Sequence, residues 1–174
     1  MKLFEEYLLK AKDVYHKALE LLERGDFFDA AEKGWCAVEL ARKALLISVG
    51  IPAEKVENLE FSMPIFERIL KAAKRRNLLK EYYRFNSCLH VMGFYRMLTS
   101  REEIEKTLKE VKSWITEIEK LISQLSDVNL SKVVDIMNHA LKIKRKALRA
   151  SVEYHETLNK ISEIILQAVL KHSS

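Results

Sequence analysis

Between Phe85 and Tyr95 the chain carries no formally charged residue, although 32% of its residues are Asp, Glu, Lys or Arg. Arg84 stands at the edge of this stretch, Asn86 lies just inside it, and His90 follows four positions later. These three residue types can move a proton beside an anion. An imidazole takes up and returns a proton, a guanidinium grips paired oxygens, and an amide orients a ring. On an α-helix the offset from Arg84 to His90 corresponds to about 120° of rotation, within reach of a long arginine, and Asn86 shares the face of His90. A charge-free surface between such groups must be covered, so the spacing predicts a helix whose middle is hidden by another helix or a second copy. Two readings of the pair are open. One is catalytic; the other is a hydrogen-bonded core or interface histidine beside an arginine paired with Glu81 or another acid.

A second candidate is electrostatic. Lys142, Lys144, Arg145, Lys146 and Arg149 lie in a segment, Ile136 to Val152, without a single acid, and these five cations equal the chain's whole formal net charge of +5. Such a strip can bind phosphate backbones, with affinity that falls as salt rises, or acidic partners, or it can be a solvated helix face. Asp135 with His139, and His16 with Glu20, stand four apart and could each supply half of a metal site; surface ion pairing is the plainer reading. Trp35, Trp114, Tyr82 and Tyr83 read as core or interface aromatics. Gly-rich phosphate loops, H-E-x-x-H pairs and nucleophile elbows are missing from the sequence, so no metal and no cofactor are expected.

The elements that must position these residues are helical. Leu3, Phe4, Tyr7, Leu8, Ala11, Val14, Tyr15, Ala18, Leu21 and Leu22 recur at three- and four-residue spacing and predict a first helix that stops near Gly25. Asp26 then offers a cap for a second helix running to about Gly50, and that helix is apolar around most of its circumference. Gly34 inside it predicts a close crossing by another helix. From Ile51 to Phe61 the periodicity lapses and predicts a loop, with Ser62 and Pro64 opening a short third helix. Leu78 to Leu98 reads as the fourth. Ser100 and Glu103 form a capping signature for a fifth, whose Ile104, Leu108, Val111, Ile115, Ile118, Ile122 and Leu125 make a coiled-coil-like seam. After Asp127 and Asn129 come two further apolar stripes, which neither Gly nor Pro separates near Arg149 to Ser151; they form one long helix or two.

Four glycines and two prolines in 174 residues leave little material for irregular loops, and the Lys, Glu and Arg bias with only two glutamines resembles thermophile composition. Cys36 and Cys88 fall in apolar stretches without a C-x-x-C spacing and are expected as buried free thiols in a reducing compartment. Lys2, Glu5 and Glu6 interrupt the N-terminal apolar residues, and no apolar run reaches a membrane span, so a cytoplasmic location is expected.

Gly25-Asp26 followed by Ala30-Ala31-Glu32-Lys33 and Trp35-Cys36-Ala37, together with Leu89-His90 followed by Phe94-Tyr95, resembles the HEPN superfamily and, within it, the archaeal PaREP family. The resemblance covers about residues 1–125. It implies an all-α, HEPN-like antiparallel bundle, with residues 126–174 as a C-terminal extension packing on the bundle or on a neighbour. Many members of that superfamily are metal-independent endoribonucleases that bring an arginine and a histidine of one helix to a dimer interface. Carried over, this makes Arg84 a phosphate clamp and His90 a general acid or base. Phe85 follows the arginine where the superfamily often has a polar residue, and Met92 stands where its toxin branch often has tyrosine. The expected partners are therefore a second copy of the chain, RNA, or another protein for which this one is a companion or scaffold.

Overall fold

The computed structural model describes residues 1–125, 127–146 and 151–171, apart from the side chains of Arg145, Lys146, Ser151 and Val152. Among the described residues there is no strand. The helices are α1 (Leu3–Glu23), α2 (Phe27–Ser48), α3 (Ala53–Val56), α4 (Leu59–Ala72), α5 (Arg76–Phe85), a π-helix (Asn86–Tyr95), α6 (Arg101–Gln124), α7 (Ser131–Lys146) and α8 (Ser151–Lys171). They fall into two compact units, residues 1–45 with 77–121 and residues 46–76 with 122–174.

Local chemistry explains the starts and stops in the first unit. After α1 the backbone turns through Gly25 at φ +83°, a conformation that costs glycine little. The Asp26 carboxylate then accepts the Asp29 N–H at 3.4 Å at the head of α2. Ser100 does the same for α6, accepting the Glu103 N–H at 3.2 Å. Ala30, Ala31, Ala37, Val38, Ala41 and Ala44 of α2 are fully buried, as its all-round apolar character requires. The seam residues Ile104, Leu108, Val111, Ile115 and Ile118 of α6 are buried as well. At Gly34 a Cβ would collide with the Leu108 side chain and stand 3.3 Å from that of Leu89, so the predicted close crossing is made by α6 and the π-helix. Trp114 is buried, and its indole N–H donates to the Leu78 carbonyl at 2.9 Å.

In the second unit α8 packs on α7 and on α4. Arg68 of α4 fastens α8: its Nε donates to Ser162 Oγ at 2.7 Å and to the Leu158 carbonyl at 3.2 Å. Burial pulls the pKa of this guanidinium below its ordinary value. The Leu130 N–H donates to the Val49 carbonyl at 2.7 Å, and Ile122, Leu125, Ile161 and Ile165 are buried.

Three expectations are revised. The segment expected as a loop forms α3 and the start of α4, because the Asn58 side chain caps the Phe61 N–H at 3.3 Å; Pro64 consequently lies inside α4 instead of opening it. The expected fourth helix changes character after Phe85, where ten residues adopt the wider π form. Both cysteines are free but only partly buried. The question of one long C-terminal helix or two turns on residues 147–150, which lie outside the described residues.

Candidate functional site

The first unit places His90 against α2. Its Nδ1 donates to Glu32 Oε2 at 2.8 Å, the ring stacks on Trp35 with centroids 5.5 Å apart, and it meets the Tyr95 ring in a T-shaped contact with centroids 4.8 Å apart. The imidazole and the Glu32 side chain are 26% and 24% exposed, so solvent reaches both. An ionised carboxylate only accepts hydrogen bonds, so this contact puts the ring proton on Nδ1 and leaves Nε2 as the nitrogen that can exchange a proton with another molecule. The other oxygen of Glu32 accepts from the Cys36 thiol at 4.0 Å. Burial, and then the charge of Glu32, push the Cys36 pKa up, which keeps it a thiol instead of a nucleophilic thiolate.

The π-helix decides where His90 points. Its bonds close over five residues instead of four, so each turn takes more residues than in an α-helix and the ring rotates away from the position an α-helix would give it. Gly93 permits this turn to lie against α2, since a Cβ there would be 2.7 Å from the Cys88 carbonyl oxygen and 3.1 Å from the Ala31 Cβ.

Arg84 is engaged elsewhere. Its guanidinium pairs with Glu110 of α6 and lies over the Phe85 ring, with 40% of the side chain exposed. Glu110 also lines an open groove of about 280 Å³ with Glu81 and Glu117. The Glu81 carboxyl is raised, chiefly by burial, and the nearby Arg84 charge opposes that rise. Arg84 and His90 are thus held by carboxylates of two different helices. Asn86 is partly exposed, and the hydrogen bond recorded for the His90 ring goes to Glu32.

In the basic strip Lys142 and Lys144 are exposed on α7. Lys144 Nζ bonds Glu60 Oε1 at 2.7 Å, which raises its pKa, and lies over the Tyr154 ring. Arg149 and the side chains of Arg145 and Lys146 lie outside the described residues. Among the described residues, no group of three or more His, Cys, Asp and Glu side chains could hold a metal ion. No helix among them is long and apolar enough to cross a membrane.

Sequence reasoning did not single out Glu32, Trp35 or Tyr95 as neighbours of His90. Glu32 and Trp35 fall in the motif that carried the family resemblance, and their spacing of three on α2 was a signal that they share a face.

The class is that of an all-α protein with an acid-held imidazole on a helix that widens into π form. The chain belongs to the archaeal PaREP1/PaREP8 family, whose model matches residues 6–115. No curated protein and no solved structure matches it.

Proposed function

We propose that this chain is an RNA-directed protein of HEPN type that works as a homo-oligomer and cleaves RNA without a metal, with His90 as the proton-transfer group. The observation that carries this reading is the half-open dyad of His90 and Glu32, 2.8 Å apart, with Nε2 left for a substrate. In the proposed step Nε2 accepts the proton of a ribose 2′-hydroxyl as that oxygen attacks the adjacent phosphorus. The bond to the 5′-oxygen breaks, and that oxygen takes a proton from an imidazolium or from water. The products are a 2′,3′-cyclic phosphate and a 5′-hydroxyl end. Glu32 is a positioning residue: it holds the ring by Nδ1 and stabilises the imidazolium.

Arg84 would contribute a phosphate clamp by sharing its guanidinium between Glu110 and the phosphate oxygens, and Asn86 a further polar contact on the same helix. A second copy covering the uncharged π-helix would bring a second imidazole to the same strand. Lys142, Lys144, Arg145, Lys146 and Arg149 would bind RNA backbone in their own right.

A non-catalytic companion or scaffold is the second reading. It is favoured by Val91, Tyr95, Met97 and Leu98, large hydrophobic residues exposed next to His90 in sequence. Total RNA incubated in EDTA with the wild type and with His90→Ala separates the two. Catalysis predicts cleavage with cyclic-phosphate ends that drops at least about a hundredfold in the variant. Equal cleavage in both proteins, or none in either, leaves the companion reading.

A further inference from the structure

In the first unit α1 and α6 flank a half-open cavity of about 130 Å³ lined by Lys12, Tyr15 and His16 on one side and Lys112, Ile115 and Thr116 on the other. We propose that this cavity binds a single phosphate group. The proposal is independent of the His90 chemistry.

Size and charge both point this way. At about 130 Å³ the hollow has room for a tetrahedral anion, and its open side lets an attached group continue into solvent. Its floor is the buried Tyr15 and Ile115, and low-dielectric walls strengthen the attraction of a charge to the groups at the mouth.

The mouth of this mainly apolar hollow carries two ammonium groups and an imidazole. Lys112 is exposed, and neither an ion pair nor a hydrogen bond of its ammonium is present among the described residues. Lys12 bonds Glu119 at 2.7 Å, which fixes the ammonium at the rim but also offsets its charge. The exposed His16 adds a ring N–H. The Thr116 hydroxyl donates to the Lys112 carbonyl at 3.1 Å and would have to rotate to reach an anion. One unshared ammonium, one shared ammonium and an imidazole around an apolar floor suit a phosphate better than an uncharged or cationic ligand.

The experiment titrates the whole protein with inorganic phosphate and follows the α1 and α6 amide resonances, using chloride at matched ionic strength as reference. Saturable shifts at the Lys12–His16 and Lys112–Thr116 amides are expected, weakened at least tenfold in Lys112→Gln and unchanged in Lys106→Gln, an exposed position of the same helix outside the cavity. Both positions are exposed, so unchanged melting checks that the fold is retained. Shifts that chloride reproduces, or that persist equally in Lys112→Gln, overturn the proposal. A 5′-phosphorylated oligoribonucleotide and its 5′-hydroxyl counterpart then distinguish the sources. Tighter displacement of phosphate by the first assigns the cavity to a terminal monoester, and equal displacement to a backbone diester.

Discussion

Glu32 and Glu39 stand seven residues apart on α2 and meet the same neighbouring helical segment, yet they live in different surroundings. Glu39 binds Arg42 through two contacts of 3.0 and 3.1 Å, and the Tyr82 hydroxyl donates to it at 2.6 Å. The Arg42 side chain is fully buried and that of Glu39 is 17% exposed. Glu32, by contrast, holds a titratable imidazole that solvent can reach. Trp35 touches both clusters, with ring centroids 5.3 Å from Tyr82 and 5.5 Å from His90. A carboxylate sealed with a permanent cation can only hold the fold together. A carboxylate left half open beside an imidazole can alter what the imidazole does to a visiting molecule.

The largest effect that tests this contrast is on stability. Arg42→Ala leaves Glu39 in the interior without its cation and is expected to cost about 3 kcal/mol in urea denaturation, whereas Glu32→Ala costs less than about 1 kcal/mol. Equal losses at the two sites would remove the contrast. Next comes Gly93→Ala, which forces a methyl group against the Cys88 carbonyl and Ala31. A destabilisation of about 2 kcal/mol is expected, with a change in tryptophan fluorescence as the His90 ring leaves Trp35.

Glu32→Gln sharpens the functional half. Cleavage should fall about tenfold, less than in His90→Ala, with melting unchanged; activity equal to wild type would show that the carboxylate does not position the ring.

The smallest effect is a pH dependence of the sealed cluster. Burial first, and then the charge of Glu39, raise the Tyr82 pKa well above its ordinary value. The folded protein thus keeps a proton that the unfolded chain releases above about pH 10, so this contribution is complete below that pH and is lost as pH rises. Wild type should lose about 1.4 kcal/mol more per pH unit above 10 than Tyr82→Phe, measured by alkaline denaturation. Parallel curves would place the phenol in contact with solvent.

Much of the helical order was legible in the residues. Gly25, Asp26 and Ser100 mark helix ends because their backbone or side-chain chemistry acts within one turn. The stripes of α1 and α6 are legible for the same reason, since a period of 3.6 residues is local. Asn58 could cap as readily as it could sit in a loop, and the proline nearby drew the boundary to the wrong place. The candidate site was half legible. Its histidine was marked by standing in a charge-free stretch, but an α-helical rotation put Arg84 and Asn86 beside it. The π-helix depends on what packs against it, and sequence periodicity carries no sign of that.

Helicity, the ends of most helices and the enclosure of α2 could be read from the residues alone, because each follows from neighbours a few positions away. That Glu32 holds His90 while Glu110 holds Arg84, and that Lys12 and Lys112 share a cavity, emerges when the helices pack together. Those pairings join residues 58, 26 and 100 positions apart, and which helix faces break solvent together is settled by packing the whole core.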